Sequence, residues 1–309
     1  MGENVPETWV TKLGRKCLPS SALFLRNNRL VPRLEADAAM LRTRARSLRA
    51  ALFLAVLCLA QARALEVAEL YRAEVIVTGT EEPERTRGLR AALTDVLIKL
   101  TGDARLANSP VLAPLLERAP ELVDQFEYED RMKGIPIHDE QGTRERPHYL
   151  RAAFRPAALD AAIGDLGLKK WTADRPLTAV WLGMQTAVRS YVVPQRGDEG
   201  YGPRAVIEET ARRRGLPVMI APQADAFAIS PSDLAAFDVD KIRKASLGSD
   251  ALLIGMLRST PSGYWDAEWR LGWKERAETW SAHGVTYDTA IKQALERSAL
   301  LFSGNASRH

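Results

Sequence analysis

The 309-residue chain is 46% hydrophobic and 27% charged, a composition that is typical of a globular protein and excludes a disordered or fibrous one. Its formal net charge of +4 at pH 7 would suit a nucleic-acid partner, but the positive charge is concentrated at the start of the chain. Residues 1–64 contain 11 of the 43 Lys and Arg residues and 4 of the 39 Asp and Glu residues, which leaves 32 basic and 35 acidic residues after them. That remainder has a net charge of −3, and we therefore predict no nucleic-acid partner.

The first 64 residues have the pattern of an upstream extension followed by a secretory signal peptide. Four arginines between residues 42 and 49 precede the apolar run Ala50–Ala60, and Ala62-Arg63-Ala64 then forms an A-x-A cleavage site. We predict Met40 as the true start, cleavage after Ala64 and a periplasmic location. The apolar run is too short to cross a bilayer, so the mature chain is predicted to have no transmembrane segment. The alternatives are an uncleaved anchor or a buried helix and, for residues 1–39, a long translated extension.

Residues 65–172 are predicted to form a small α+β domain with the element order β-α-(α)-β-β-α. Alternating apolar and polar residues from Tyr71 to Val77 predict a strand. Apolar residues at helical spacing follow Pro83, and Gly102 is placed to end that helix. The remaining predicted elements are a short helix at Pro110–Glu117, strands at Val123–Asp130 and His148–Phe154, and a helix at Pro156–Leu166.

Residues 173–309 are predicted to form an α/β domain with a mixed sheet, so the fold class combines α+β and α/β. Leu177–Gly183 is almost wholly apolar, as expected for a strand covered on both faces. The next predicted elements are a helix at Pro203–Arg214 that Gly215 ends, a strand at Val218–Ala221 and a two-part helix at Leu234–Ala245. The last are the hairpin Asp250–Trp273, a strand at Arg276–His283 and an amphipathic helix at Thr286–Phe302.

The second strand of that hairpin is rich in tryptophan. Its alternation places one set of residues on a single face: Trp265, Ala267, Trp269, Leu271 and Trp273. Charged residues occupy the other face, which is the period of a half-buried strand. If the three indoles are buried, they form part of the core of the domain. If they are exposed, they form a platform on which sugar rings can stack. We favour the core and retain Trp265, Trp269 and Trp273 as a candidate ligand or partner surface.

One glycine-rich stretch resembles a nucleotide-binding motif. Residues Gly200–Ala205 match G-x-G-x-x-A and open a helix, with Asp225 about 20 residues further on. A dinucleotide fingerprint needs a strand that ends at its first glycine, whereas a polar loop precedes this one. Pro203 also removes an N–H that would bind phosphate. The favoured interpretation is that Gly202 caps the helix and Pro203 is its first residue.

Other chemistry-bearing residues lack the spacing of known sites. His138, Asp139, Glu140 and His148 would have to converge to bind a metal, but no H-E-x-x-H or C-x-x-C pattern supports this, and a solvated hairpin loop is favoured. No serine lies in G-x-S-x-G. Arg212–Arg214 suit the negative end of a helix better than an anion site. We therefore predict no catalytic, cofactor-binding or metal-binding residues and no cofactor, and we leave enzymatic activity open while favouring its absence.

Six segments together resemble a known family. They are Leu70–Val77, Gly88–Asp103, Phe154–Leu182, Ala211–Val218, Ala245–Leu257 and Gly263–Leu271. Over essentially the whole mature chain they resemble the bacterial domain-of-unknown-function family 2066. The resemblance implies an exported protein of Gram-negative bacteria. It supplies no catalytic or binding residues, because none are assigned in that family.

The sequence thus predicts an exported periplasmic protein, and two functions are weighed. The first is a non-enzymatic binding or envelope-assembly module, motivated by the signal peptide and the lack of a catalytic pattern. The alternative is a cell-wall glycan-binding or hydrolytic domain that uses the Trp-rich strand. The predicted partner is accordingly an envelope protein or a glycan, and the sequence leaves the oligomeric state open.

Overall fold

Two β-sheets organise the part of the chain that the computed structural model describes, which is residues 68–134, 146–172, 174–222 and 224–306. The predicted signal peptide with Met40 and Ala64, and His138, Asp139 and Glu140 of the charged loop, lie outside these residues. The strands are β1 Arg72–Thr78, β2 Val123–Asp130, β3 Pro147–Phe154, β4 Thr178–Gln185, β5 Ser190–Val192, β6 Val218–Ile220, β7 Ala251–Ser259, β8 Trp265–Trp273 and β9 Arg276–Val285. The α-helices are α1 Glu84–Thr101, α2 Ala113–Glu117, α3 Ala119–Leu122, α4 Pro156–Asp165, α5 Tyr201–Arg214, α6 Pro231–Ala235, α7 Val239–Lys244 and α8 Tyr287–Ser303.

The small sheet has the strand order β1-β3-β2, and both pairings are antiparallel. Helix α1 packs on one face of it and buries an apolar stripe that includes Leu93 and Leu97. The contact is close at Gly88, where an added Cβ would lie 2.5 Å from Val77 Cγ1. Gly102 has the left-handed conformation, with φ of 72°, and ends α1 as predicted. The opposite face of the small sheet carries charged side chains.

The large sheet is mixed, as predicted. Its strands run in the order β5-β4-β7-β8-β9, and β6 also pairs with β4. The pairings of β4 with β6 and β7 are parallel, whereas the others are antiparallel. Residues on both faces of β4 and β7 are buried, which confirms the prediction from the apolar run at Leu177–Gly183. Helix α8 covers the face that carries the tryptophans of β8, and α6 covers the other face at β4 and β7.

A buried ion cluster joins the helices of the two sheets. Asp95 of α1 accepts hydrogen bonds from Arg213 Nη2 at 2.6 Å and from Arg214 Nη1 at 3.2 Å. Arg214 also donates to Glu296 of α8 at 2.6 Å. The side chains of Asp95 and Arg214 are 8% and 6% exposed. The opposite charges therefore replace the water that would otherwise solvate them. The cluster therefore holds α1, α5 and α8 together.

Two details of the large sheet differ from the sequence predictions. Strand β5 was not predicted, because its three residues pair only with the end of β4 and carry no apolar pattern of their own. The prediction that Gly202 caps α5 is wrong. The helix begins at Tyr201, and its cap is Gly200, which has φ of 65° and whose carbonyl accepts the Arg204 N–H at 2.9 Å. No helix in the described ranges combines the length and apolarity that crossing a bilayer requires.

Candidate functional site

A cleft of about 1220 Å³ opens beside the uncovered face of the small sheet. Its floor is formed by β1, β2 and β3, and its opposite wall by residues 170–172, 174, 175, 211, 212 and 215–217. The wall residues include the C-terminal end of α5 and the turn that leads into β6. This volume exceeds the roughly 300–1,000 Å³ that is typical of small-molecule sites. The cleft is therefore large enough for a ligand or for a segment of a partner protein.

Cations outnumber acids along the cleft. Its charged lining residues are six cations, Arg72, Lys99, Arg151, Lys170, Arg175 and Arg212, and four acids, Glu69, Glu74, Glu127 and Asp174. The excess is opposite in sign to the net charge of −3 after residue 64. A concave surface lined by one sign of charge concentrates ligands of the other sign. Three of these cations are paired with acids beside the lining, which are Glu129, Asp160 and Glu209. The attraction for an anionic ligand therefore comes chiefly from cations without a bound carboxylate, such as Lys99.

Arg151 binds the acids of the cleft floor. Its guanidinium contacts Glu74 at 2.7 Å, Glu129 at 2.5 Å and Glu127 at 3.5 Å. Hydrogen bonds to Glu74 and Glu129 raise its pKa. Arg212 approaches Glu74 from the wall, with Nη2 at 3.6 Å from the carboxylate. Because one guanidinium serves three carboxylates, the floor keeps part of its negative charge, and the cations in excess lie on the wall and at the end of α1.

Lys99 is the most unusual charged group of the cleft. It lies near the end of α1, its residue is 8% exposed, and its Nζ donates to the carbonyl oxygens of Arg72 at 2.7 Å and Glu69 at 3.2 Å. No carboxylate of the described residues lies within salt-bridge distance of this ammonium. Burial lowers the pKa of Lys99 to about 8, and the positive charge of Arg212 contributes to the lowering. Lys99 is thus a buried cation without a directly paired carboxylate among the described residues.

A second lysine of the cleft is fully paired. Lys170 Nζ lies 2.7 Å from Asp160 Oδ2 and 2.6 Å from the hydroxyl of Tyr71, which itself donates to Asp160 Oδ1 at 2.9 Å. Burial lowers the pKa of Lys170, but the hydrogen bonds to Asp160 and Tyr71 outweigh it and leave the pKa raised. Burial is the main cause of the raised pKa of Tyr71. The three groups satisfy one another and tie β1 to α4, which is a structural role.

Arg175 and Trp171 form the end of the cleft between the two sheets. The Arg175 guanidinium lies 3.9 Å from the centre of the Trp171 ring. It donates from Nη2 to Lys99 O at 2.7 Å and from Nη1 to Arg214 O and Gly215 O, each at 3.1 Å. The Trp171 residue is 3% exposed, and its Nε1 has no hydrogen-bond partner among the described residues. This end of the cleft is therefore rigidly hydrogen-bonded and contains one unmatched donor.

The candidate surface of Trp265, Trp269 and Trp273 lies in the large sheet and does not line the cleft. Trp269 is 2% exposed and lies over Gly255, where an added Cβ would be 2.3 Å from its ring. Trp265 and Trp273 are half-buried and pack edge-on against α8, contacting Tyr287 and Phe302 with ring centroids 6.3 and 5.0 Å apart. The burial of Trp269 agrees with the core interpretation. The use of the three indoles as a ligand surface stays a prediction.

The other residues considered from the sequence do not assemble into a site. His148 is the one described member of the proposed metal set, and its Nδ1 lies 2.8 Å from Arg146 O. The described residues contain no group of three or more His, Cys, Asp or Glu placed to hold a metal ion. Arg213 and Arg214 are engaged by Asp95. The glycine-rich stretch at Gly200 follows a loop, since β5 ends at Val192.

Residues 64–172 match the model of a family described as domain of unknown function DUF8605. The resemblance to family 2066 is therefore wrong, and the Gram-negative origin that it implied loses its support. The segments that suggested it are strands and parts of three helices, whose apolar patterns recur in unrelated α/β chains. No curated protein matches the chain. The matched region contains the cleft floor, Lys99 and Lys170, whereas the wall at residues 211, 212 and 215–217 lies beyond it.

Proposed function

We propose that the protein is an exported, non-enzymatic binding module that engages an envelope partner through the cleft. The observation that carries this proposal is the cleft itself, which is the large concavity between the floor of the small sheet and the end of α5. Large, partly polar concave surfaces are where proteins take their ligands. The positive excess along its lining favours a partner with negative charge.

Binding is favoured over catalysis because the ionisable groups at the cleft are mostly used within the protein. Arg151 is engaged by three glutamates, and Lys170 is engaged by Asp160 and Tyr71. A general acid or base has to exchange a proton with a substrate at hydrogen-bond distance. Groups held in mutual pairs are poorly placed for such exchange, whereas they are well placed to shape a stable binding surface.

Export to the periplasm is the second part of the proposal, and the pattern of residues 40–64 supports it. Sequencing the N-terminus of the natural product tests this part. A mature chain that begins at Leu65 is expected. A chain that retains residues before Met40 would contradict the assigned start, and one that retains the apolar run would contradict cleavage.

The alternative function, glycan binding or hydrolysis on the Trp-rich strand, has weaker support. Stacking on a sugar requires an accessible ring face, and Trp269 at the centre of the strand is buried. Trp265 and Trp273 are half-buried against α8, so only part of each indole would meet a sugar. We keep this function as the second candidate, and the replacement of Trp269 described in the Discussion separates the two.

Site-specific photo-cross-linking in intact cells tests the cleft as the binding surface. A benzophenone amino acid is placed at Thr172 or Gln125, which are exposed residues of the cleft, and at Val188 as a control, which is 89% exposed outside it. A reproducible adduct with one envelope partner is expected from Thr172 and Gln125 and not from Val188. The absence of adducts at both cleft positions, or the same adducts at all three positions, would contradict the proposal.

A further inference from the structure

Three hydrogen-bond donors at the cleft have no matching acceptor in the described chain. The ammonium of Lys99 has three N–H groups, and its two acceptors among the described residues are the carbonyls of Glu69 and Arg72. Arg212 donates to Glu209 from Nε and Nη2, and its Nη1 makes no hydrogen bond to another described residue. The buried Nε1 of Trp171 is the third donor. The donors of Lys99 and Trp171 are buried, whereas the side chain of Arg212 is 50% exposed. An unmatched buried donor is costly, and a bound acceptor is one explanation for it.

Lys99 and Arg212 lie close to successive outward residues of β1. Lys99 Nζ binds the carbonyl of Arg72, and Arg212 Nη2 lies 3.6 Å from the carboxylate of Glu74. Two residues of a strand span about 7 Å. Both cations line the cleft, and the charge of Arg212 is near enough to lower the pKa of Lys99, so a small ligand with two or more negative oxygens can contact both.

The charges around Lys99 favour a negatively charged ligand. The charged side chains that act on Lys99 come from each element around it: Asp95 and Glu69 oppose the lowering of its pKa, whereas Arg212 and Arg175 add to it. Asp95 is already engaged by Arg213 and Arg214, and the side chain of Glu69 is paired with Arg72. Arg212 is itself paired with Glu209 and lies near Glu74. The charge that lacks a directly bound carboxylate is that of Lys99, and a bound anion would supply one.

We propose that the cleft binds a small polyanion, a carboxylate or a phosphate, between the ammonium of Lys99 and the guanidinium of Arg212. The inference rests on the proposed function, since it gives the binding cleft a class of ligand. Binding is strongest while Lys99 is protonated. Because an anion stabilises the charged form, its affinity is expected to fall as the pH rises above about 8, the value to which burial lowers the pKa of this lysine.

Isothermal titration calorimetry of the full chain with citrate and with pyrophosphate tests the proposal at low salt and pH 7. Citrate probes a carboxylate site and pyrophosphate a phosphate site. The variants are Lys99→Met and Arg212→Gln, and the matched control is Lys292→Met, which removes an exposed lysine of α8. The wild type is expected to bind one of the probes, and each cleft variant is expected to weaken that binding about tenfold or more. The control is expected to bind like the wild type.

If Lys99→Met does not fold, acetylation of lysines followed by mass spectrometry tests the same site in the wild-type chain. In the wild-type chain, the probe is expected to slow acetylation of Lys99 and to leave that of Lys292 unchanged. The inference is overturned if neither probe binds, if Arg212→Gln binds as tightly as the wild type, or if Lys292→Met weakens binding equally. Cross-linking from Thr172 and Gln125 tests the proposed function separately. If a partner is captured there but neither probe binds, the proposed function is supported and the anion site is contradicted.

Discussion

The two sheets of this protein use their faces differently. In the large sheet, β4 and most of β7 are buried on both faces, and the charged residues lie mainly on β8 and β9. In the small sheet, one face packs on α1, while the other carries a network of charges and forms the floor of the cleft. The large sheet is thus a scaffold whose residues are committed to packing. The small sheet has a surface that is free to bind, and this difference locates function in the region with fewer strands.

The largest expected effect comes from removing a scaffold residue. Replacing Trp269 by Ala is expected to lower the free energy of unfolding by about 3–5 kcal/mol, because it empties a buried site over Gly255. Urea denaturation measures the loss. Tyr264→Ala, at a position that is 49% exposed, is the control and is expected to change stability by about 0.5 kcal/mol or less. Unchanged stability with loss of glycan binding would instead support the Trp-rich strand as a platform.

The second prediction concerns the pH dependence of stability at the cleft. The folded pKa of Lys99, about 8, lies below the ordinary value of 10.5. Between these values the unfolded chain binds more protons than the folded one, so stability is expected to rise with pH, by about 3 kcal/mol at most. Urea denaturation at pH 7.5 and at pH 10 measures this rise. Lys99→Met is expected to lose it and Lys292→Met to keep it. Equal pH dependence in Lys99→Met and the wild type would show that burial of this amine is not its cause.

The third prediction tests the connection between the two regions. Asp95→Asn leaves Arg213 and Arg214 without their shared carboxylate, although Arg214 keeps Glu296. We expect a loss of about 2–3 kcal/mol in the free energy of unfolding, since hydrogen bonds to charged groups are removed in a buried place. Asp124→Asn, at an exposed position, is the control for thermal denaturation. If both variants melt at the same temperature, the buried cluster does not hold the helices together.

The smallest expected effect lies in a local cap of the large-sheet region. Ser230 accepts a hydrogen bond from the Asp233 N–H, and Asp233 accepts one from Ser230 N at 2.7 Å and binds Lys241 at 2.7 Å. Ser230→Ala is expected to cost about 1 kcal/mol of unfolding free energy, as measured by urea denaturation. Ser262→Ala, in the exposed turn between β7 and β8, is expected to leave stability unchanged.

The same cap has a pH dependence of defined sign. Hydrogen bonds from Lys241 and Ser230 lower the pKa of Asp233 to about 2 from an ordinary 3.8. Its contribution is therefore present above the ordinary value and is lost as the pH falls from about 4 towards 2. Asp233→Asn is expected to remove this part of the acid sensitivity in a pH series of urea denaturations. A variant as acid-sensitive as the wild type would contradict the assignment.

Elements with strong periodicity could be predicted from the sequence. The alternation of β8 and the glycines that end α1 and α5 determined those elements closely, because side-chain period and backbone conformation are local properties. Strand β5 could not be predicted, since its three residues are organised by the neighbouring β4. The cap at Gly200 was misplaced because Gly200 and Gly202 both permit it, and only the backbone angle distinguishes them.

The site could not be predicted from the sequence, because its members are distant in the chain. Lys99 and Arg212 each look ordinary in their own helices, and their relation appears only when the end of α1 meets the end of α5. One local signal was present. Lys99 lies within Asp95–Thr101, a run in which each residue is buried, and a lysine among the last apolar residues of a helix is unusual at such a position.

The hydrogen bonds of Arg175 have a consequence for the thermodynamics of binding. One guanidinium joins the carbonyl at Lys99, near the end of α1, to those at Arg214 and Gly215, at the end of α5. It fixes the separation of two walls of the cleft before any ligand arrives. A ligand then meets a preorganised receptor and does not lose affinity to the entropy of ordering it. The free and bound forms are accordingly expected to share one backbone conformation at this end of the cleft.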